Sequence, residues 1–267
     1  MKTVLTIAGS DCSGGAGIQA DLKTIGAFRL YGMSVLTAVT VQNTLGVRRV
    51  VPVDGSVVEE QLRAVFEDIV PDAVKIGMVV NSDNIYAVVS VLREYKPIAV
   101  LDPVMVSTSG KKLLDDEAAA MLCEELFPLA RVVTPNLPEA EALCGIKIRT
   151  DRDREQAARQ LADRYGCSVL IKGGHSNPSS GLPETCMSDD LLYDCREGGL
   201  FWFRNKKLPN TNTHGTGCTL SSAVACGLAS GQGLEESVRR AKEYVTGAIR
   251  DGMDLGHGSG PLNHFYQ

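Results

Sequence analysis

The chain has 267 residues, of which 44% are hydrophobic and 22% are charged, and its formal net charge is −5. This length allows one large α/β domain with a substantial core, and the negative charge gives no reason to expect nucleic acid or an anionic membrane as a partner. No apolar run approaches the roughly 20 residues that a membrane-spanning helix needs.

The N-terminal segment, the cysteines and the histidines predict a cytoplasmic protein without a metal-ligand cluster. Residues 1–9 contain a short apolar run that is interrupted by threonine and leads into a glycine-rich loop, which indicates a buried strand rather than a signal peptide. The 8 cysteines are scattered without a Cys-x-x-Cys pair, so we expect reduced, mostly buried thiols. His214, His257 and His264 show no metal spacing and read as structural or exposed.

Short apolar segments alternate with longer amphipathic segments along the first two thirds of the chain. The short segments predict strands at residues 3–8, 34–42, 73–76, 98–101, 131–133 and 168–171. The longer segments predict helices at residues 18–31, 57–70, 84–95, 116–127 and 151–165. This alternation is typical of a parallel sheet with helices on both faces.

The last third of the chain departs from this alternation. Residues 191–194 and 201–203 predict a β-hairpin that turns through Gly198 and Gly199. The remaining helices are predicted within residues 214–230 and 235–250.

The chain shows no repeat, long linker or block of charge, so we interpret residues 1–267 as one doubly wound domain. Residues 177–183 are rich in Pro, Ser and Gly and predict a mobile surface loop.

Most of the chemically distinctive residues come directly after predicted strands. They lie in the runs 9–17, 42–43, 77–78, 102–103, 135–136 and 172–175. In open parallel sheets, ligands bind in the crevice outside the carboxyl ends of the strands. We therefore expect the six runs to meet at one edge of one sheet.

Two glycine-rich segments are candidate ligand-binding loops. Residues 9–17 (GSDCSGGAG) allow close approach of a ligand and lead into a helix, although they match no P-loop and also fit a tight turn without a ligand. In residues 212–219 (NTHGTGCT), Gly215 and Gly217 leave backbone N–H groups accessible at a helix start, where they can hold a phosphate. At that position we expect Cys218 to have a lowered pKa; the alternative is a helix start with a buried thiol.

Polar residues at other strand ends could complete a phosphoryl-transfer site. Lys172 can contact phosphate oxygens, or it is simply a solvated lysine. Asn136 and Glu139 offer oxygens that could order magnesium, but their spacing also fits a capping box. Asp102 adds an acidic group at a strand end, and Asp21 in the first helix could face the crevice.

Taken together, these motifs resemble the bacterial hydroxymethylpyrimidine and phosphomethylpyrimidine kinases of thiamine biosynthesis, within the ribokinase-like superfamily. The resemblance is carried by residues 8–11, 14–21, 41–44, 75–78, 101–105, 134–139, 172–175, 191–194 and 214–219. It implies a ribokinase-like α/β fold with a central, mostly parallel sheet. It also implies an enzyme that uses ATP and Mg²⁺ to phosphorylate 4-amino-5-hydroxymethyl-2-methylpyrimidine and then its monophosphate.

The resemblance assigns roles to individual residues of this chain. The residues implied to bind the pyrimidine are Gln42, Asp21, Val41, Met78 and Val104. The residues implied to form an anion hole are Gly215, Thr216 and Gly217. The residues implied to order magnesium are Asn136, Glu139 and Asp102. Cys218 stands where most ribokinase-like enzymes place an aspartate base, and Lys172 would stabilise phosphate charge. The Gln42 amide offers both a donor and an acceptor to an aminopyrimidine edge.

Three alternatives remain beside this interpretation. A related branch phosphorylates pyridoxal and tends to carry a second cysteine in a flap; residues 106–111 here contain none, which favours the pyrimidine without excluding pyridoxal. A catalytically silent vitamin-binding protein would not need the run 215–218 or Lys172, and a Rossmann dehydrogenase would need a fingerprint that is missing.

The resemblance further implies a homodimer and a flap over 107–111 that closes on the substrate.

Overall fold

The computed structural model describes residues 1–105, 114–174, 188–206, 208 and 212–266. The predicted flap at 106–111, the predicted loop at 177–183, His175 and Cys186 lie outside these residues. Within the described ranges the strands are β1 (Thr3–Asp11), β2 (Tyr31–Asn43), β3 (Gly46–Pro52), β4 (Ala73–Ile76), β5 (Ala99–Leu101), β6 (Val132–Val133), β7 (Ser168–Ile171), β8 (Asp190–Asp194) and β9 (Gly199–Phe203). The helices there are α1 (Gly17–Ala27), α2 (Gly55–Asp68), α3 (Ser82–Tyr95), α4 (Asp116–Met121), α5 (Leu137–Cys144), α6 (Asp151–Tyr165), α7 (Thr216–Ala229) and α8 (Leu234–Arg250).

All of these strands belong to one 9-stranded sheet in the order β3-β2-β1-β4-β5-β6-β7-β8-β9. The strands β2, β1, β4, β5, β6 and β7 run parallel to their neighbours in this order. β3 on one side, and β8 and β9 on the other, pair antiparallel. The predicted mostly parallel sheet and the predicted hairpin of residues 191–203 are therefore confirmed.

Two hydrophobic cores lie on opposite faces of the sheet, because successive side chains of a strand point in opposite directions. In β7, Val169 belongs to the core that is covered by α2, α3, α4, α5 and α6, whereas Leu170 belongs to the core that is covered by α1, α7 and α8. Val133 and Val132 of β6 divide in the same way. A strand that is buried on both faces reads as a continuous apolar run, which is how the sequence revealed it.

Two predicted helices differ from the structure by more than a shift of one or two residues at an end. The first helix ends at Ala27 rather than at residue 31, because Arg29 adopts a left-handed conformation with φ 58°. The Leu30 N–H then bonds the Ile25 carbonyl and the Arg29 N–H bonds the Gly26 carbonyl, which is a Schellman ending that glycine usually signals. The predicted helix at 116–127 becomes α4, a π-helical turn at Leu122–Leu126 and a 3-10 turn at Phe127–Leu129.

The strand β3 was missed by the sequence analysis. It pairs only with β2, at the edge of the sheet, and its side chains are mostly exposed. Its run Gly46–Pro52 combines valines with two arginines, so it lacks the apolar pattern of a buried strand.

Seven of the cysteines lie in the described part of the chain. The cysteines described are free thiols, and the buried ones are Cys123, Cys144, Cys167 and Cys226. Among the described helices, none combines the length and the apolar character needed to cross a membrane.

An ion pair between Asp21 of α1 and Lys75 of β4 lies at the centre of the molecule. Both side chains are 0% exposed, and Lys75 Nζ lies 2.9 and 2.8 Å from the two Asp21 carboxylate oxygens. Thr6 of β1 and Ser222 of α7 each donate a further hydrogen bond to Asp21, at 2.6 and 2.8 Å. Burial acts to lower the pKa of Lys75, but the nearby negative charges, of which Asp21 is the largest, and the hydrogen bond to Asp21 together outweigh it and the pKa is raised.

This pair corrects the expectation that Asp21 faces the crevice. Its carboxylate is fully buried, and it accepts hydrogen bonds from Lys75, Thr6 and Ser222. Asp21 can therefore contribute to a ligand site only indirectly, by holding the Lys75 ammonium in place.

We predict that Lys75→Met will lower the free energy of unfolding by about 3–5 kcal/mol, because it leaves a buried carboxylate without its counter-charge. The double variant Lys75→Met with Asp21→Asn should recover much of this loss. Urea denaturation of the three proteins measures both effects.

The matched control is Lys2→Met, which breaks the partly exposed Lys2–Asp72 ion pair at the surface and should cost at most about 1 kcal/mol. A Lys75→Met protein as stable as the Lys2→Met control would contradict this account of the pair.

Candidate active site

Six strand ends bring polar residues to one edge of the sheet. β1, β2, β4, β5, β6 and β7 are parallel, so their carboxyl ends face the same way. Gln42 lies near the end of β2, Asp102 follows β5, and Lys172 follows β7. The Lys172 backbone N–H bonds the Pro135 carbonyl at 2.9 Å, which joins the loops after β6 and β7. This edge is the crevice that the sequence analysis expected.

The N-terminus of α7 closes one side of this crevice. Gly215 precedes the helix with φ 83°, and a Cβ atom added there would lie 1.9 Å from the Gly15 carbonyl oxygen of the first loop. Only glycine fits both the left-handed backbone and this close approach. The first N–H groups of a helix have no partner inside the helix, so those of Gly217 and Cys218 can receive an anion.

Lys172 and Asp102 form an ion pair directly beside this helix start. Lys172 Nζ lies 2.5 Å from Asp102 Oδ1, which also accepts a hydrogen bond from Thr134 Oγ1 at 3.0 Å. Burial acts to lower the pKa of Lys172, but the charges of Asp102 and Glu139 together with the hydrogen bond to Asp102 outweigh it and the pKa is raised. A Cβ atom built on Gly217 would lie 3.3 Å from Lys172 Nζ and 3.2 Å from Asp102 Oδ2. The cation therefore remains charged within reach of the helix start.

Asn136 and Glu139 form the capping box that the sequence left as an alternative. The Glu139 N–H bonds Asn136 Oδ1 at 2.9 Å, and the Asn136 N–H bonds Glu139 Oε2 at 2.8 Å. Burial raises the pKa of Glu139 to about 7, partly offset by Lys172. Glu139 and Asp102 lie close enough to act on each other electrostatically, so two carboxyl groups are available to a metal ion beside Lys172.

The donor set fits magnesium bound mainly through the nucleotide. Mg²⁺ prefers oxygen ligands and usually keeps several waters, with one or two carboxylates and phosphate oxygens completing its shell. Asp102 and Glu139 supply such carboxylates beside Lys172. Within the described ranges no group of 3 or more His, Cys, Asp or Glu residues is placed to hold a metal ion.

Cys218 lies in the first turn of α7, partly exposed to the crevice. The expectation of a lowered pKa is wrong: desolvation of the sulfur raises the pKa of Cys218, with Lys75 acting in the opposite direction. Asp21 and Asp102 add to the increase because their negative charges disfavour a thiolate. In this arrangement Cys218 is a protonated thiol at neutral pH.

The residues expected to bind a pyrimidine are only partly brought together. The Gln42 side chain is half-buried beside His214, and Met78 and Val104 are half-buried after β4 and β5. A Cβ atom added to Gly9 would lie 2.4 Å from Met78 Cε, so Met78 covers the first loop. Val41 is 46% exposed, and its part in a pocket stays a prediction.

The roles of three residues, one buried behind this edge and two at it, were missed by the sequence analysis. Lys75 carries a charge in a buried strand, which by itself signals that a counter-charge is near. Asp11 and His214 meet through a 2.9 Å contact between Asp11 Oδ2 and His214 Nε2, although 203 positions separate them in the chain. His214 is only 8% exposed, so it is not the exposed histidine that was one expectation. No local pattern could reveal this pair.

One family model and two proteins of known family are similar to this chain over nearly its whole length. The family model described as phosphomethylpyrimidine kinase matches residues 11–263. The chain is 47% identical over 264 residues to the thiamine biosynthesis bifunctional protein ThiED of Geobacter sulfurreducens, covering 98% of this chain but only 52% of that protein. It is 45% identical to the hydroxymethylpyrimidine/phosphomethylpyrimidine kinase of Haemophilus influenzae, covering 99% of this chain and 97% of the relative.

Solved structures give the same picture. Bacillus subtilis pyridoxal kinase, in an ADP complex, superimposes with a TM-score of 0.87 at 37% identity, over 99% of this chain and 97% of that one. Phosphomethylpyrimidine kinase from Clostridium difficile gives a TM-score of 0.80 at 44% identity, over 93% of this chain and 100% of that one. The ribokinase-like fold is thereby confirmed, and the chain belongs to the phosphomethylpyrimidine kinase family.

Proposed function

We propose that this protein is an ATP- and Mg²⁺-dependent kinase that phosphorylates 4-amino-5-hydroxymethyl-2-methylpyrimidine and then its monophosphate, giving the diphosphate used in thiamine biosynthesis. The observation that carries the proposal is the meeting of Lys172, Cys218 and the α7 N-terminus at the same sheet edge as Gln42. The family match and the name of the Haemophilus influenzae relative support the substrate. The whole chain acts as one domain, supported by its single sheet of described strands.

The chain's own residues supply positioning and charge. In phosphoryl transfer most of the catalysis is alignment and neutralisation of charge on the transferring group. The anion hole consists of Gly215, Thr216 and Gly217. The backbone N–H groups of Gly217 and of the following Cys218 face that charge together with the Lys172 ammonium. Bound ATP and Mg²⁺ supply the phosphoryl group and further charge neutralisation, with Asp102, Asn136 and Glu139 as the residues that would hold the metal or its waters.

Cys218 is the group next to the anion hole that can engage the substrate hydroxyl. A protonated thiol cannot accept a proton, so at rest Cys218 orients the hydroxyl rather than acting as a base. The base role requires the thiolate, whose formation Lys75 favours and burial opposes. Because the transition state is loose, little proton abstraction is needed before transfer.

Pyridoxal is the second candidate substrate. Pyridoxal kinase of Bacillus subtilis has nearly the same fold, and pyridoxal also presents a hydroxymethyl arm on a nitrogen heterocycle. The absence of cysteine from residues 106–111 and the higher identity to pyrimidine kinases favour the pyrimidine.

We predict ADP release from MgATP with hydroxymethylpyrimidine and with its monophosphate, at rates well above that with pyridoxal. A coupled assay with the three acceptors measures this directly. Turnover on pyridoxal alone would leave the phosphate chemistry standing and would overturn the pyrimidine assignment.

We predict that Cys218→Ala will lower kcat by about 10²-fold, the scale of a misplaced reacting group. Cys218→Ser should retain more activity, because its hydroxyl can still orient the substrate. The control is Cys226→Ala, which removes a buried thiol two turns further along α7 and should keep kcat near that of the unaltered protein. Full turnover by Cys218→Ala would show that Cys218 has no role in the transfer.

We further propose a homodimer that functions in the cytoplasm, where ATP is present and thiols stay reduced. The dimer proposal rests on the outer face of β2 and β3. There Val39 pairs across the strands with Val51, and they are 47% and 41% exposed. Val41, two residues along β2, is 46% exposed on the same side. Such a contiguous apolar face is typical of a subunit contact.

We predict that Val39→Lys will shift a dimer to a monomer in sedimentation velocity experiments, because an unpaired charge in an apolar contact is costly. Val70→Lys is the control, since Val70 is 63% exposed and lies away from this face. A Val39→Lys protein that remains dimeric would place the interface elsewhere.

A further inference from the structure

The Gln42 amide makes a direct polar contact with His214. The Gln42 amide lies 3.1 Å from His214 Nε2, with the amide nitrogen as the nearer atom. The same His214 Nε2 lies 2.9 Å from Asp11 Oδ2. One ring nitrogen therefore faces a carboxylate on one side and an amide on the other.

Asp11 fixes which groups around this nitrogen carry hydrogen. Its carboxylate is 2% exposed and accepts hydrogen bonds from the Ser13 N–H, the Ser13 hydroxyl and the Ala16 N–H. Burial acts to raise the pKa of Asp11, but hydrogen bonds from His214 and Ser13 outweigh it and lower the pKa to about 2. An ionised carboxylate only accepts hydrogen bonds, so His214 Nε2 must carry a hydrogen and donate it.

This hydrogen constrains the orientation of the Gln42 amide. If the NH₂ group faced His214, hydrogen would meet hydrogen across 3.1 Å. The amide oxygen and nitrogen have nearly the same size, so a half-turn of the amide exchanges them without moving other atoms. The oxygen and Asp11 Oδ2 then share the single Nε2 hydrogen in a three-centre hydrogen bond, and the NH₂ group is the end left for a ligand.

Two contacts fix the position of His214. Its backbone N–H donates a hydrogen bond to the Gly260 carbonyl at 3.1 Å, so the segment around Gly260 anchors the His214 backbone. A Cβ atom added to Gly15 would lie 2.3 Å from His214 Cδ2, so the first loop packs directly on the ring. The ring is thereby enclosed between two segments that are distant in sequence.

We propose that Asp11 and His214 are positioning residues that lock the Gln42 amide with its oxygen toward the imidazole and its NH₂ toward the heterocycle. This inference rests on the proposed function for the nature of the ligand. Gln42 then demands a hydrogen-bond acceptor on the ligand, which the ring nitrogen of an aminopyrimidine provides. Asp11 and His214 act through Gln42 and set specificity without touching the substrate.

The first test compares kcat/KM for hydroxymethylpyrimidine with kcat/KM for an analogue in which the ring nitrogen beside the amino-bearing carbon is replaced by CH. The unaltered protein should prefer the pyrimidine by at least about tenfold, the worth of one hydrogen bond. Asp11→Asn and His214→Phe should bring this ratio close to one. His214→Gln, whose NH₂ can still donate to both neighbours, should restore part of the preference.

The matched control is Asp54→Asn. Asp54 accepts from the N–H and the hydroxyl of Ser56, as Asp11 does from Ser13, but it caps α2 and contacts no histidine in the described structure. This variant should keep the full preference. A preference that survives in Asp11→Asn and His214→Phe would overturn the proposal, because a merely structural role for the pair would leave the ratio unchanged.

A second measurement does not depend on the substrate. Nitrogen-15 NMR of the His214 ring in the ligand-free protein should show a hydrogen on Nε2 near neutral pH. A bare Nε2 would overturn the orientation argument whatever the enzyme phosphorylates. Conversely, a hydrogen on Nε2 in a protein that turns over neither pyrimidine would contradict the proposed function and would still support the proposed orientation of the Gln42 amide.

Discussion

A lysine and an aspartate with no exposed surface connect the elements that build the crevice. Lys75 of β4 is bound by Asp21 of α1, and Thr6 of β1 and Ser222 of α7 complete the hydrogen bonds. A charge in a protein interior is tolerated only when it is paired and hydrogen-bonded, so these elements can adopt few relative positions. The start of α7, where Cys218 lies, is oriented by this constraint.

The electrostatics of the crevice follow from two such pairs. Lys75 is held by Asp21 inside the molecule, and Lys172 is held by Asp102 at its edge. Both ammonium groups are therefore held in place by carboxylates of the protein itself. Groups that are oriented in advance need little reorganisation when charge develops, and this is where most electrostatic catalysis originates.

The sequence predicted what depends on local pattern. Buried parallel strands such as Ser168–Ile171 read as apolar runs, and residues after them had to meet at one edge. The relation to known vitamin kinases was likewise visible in motifs such as residues 214–219. These features need no knowledge of the tertiary structure.

The features that the sequence analysis missed depend on contacts between residues that lie far apart in the chain. The edge strand Gly46–Pro52 forms because β2 offers it hydrogen bonds, and Arg29 ends α1 without the glycine that would have signalled it. The direction of the Cys218 pKa shift was wrong, because burial outweighs the helix terminus and depends on packing. The contact of His214 with Asp11 and Gln42 joins three distant segments.

The protonated state of Cys218 has a consequence for the chemical lifetime of the protein. The thiolate, not the thiol, attacks peroxides and electrophiles, so a cysteine whose pKa is raised by burial is oxidised slowly even though it borders an open crevice. An aspartate at this position would need no such protection, whereas a reactive cysteine would be lost to sulfenic and then sulfinic acid. The packing around Cys218 thus allows a sulfur atom to remain at the centre of the site through oxidative stress.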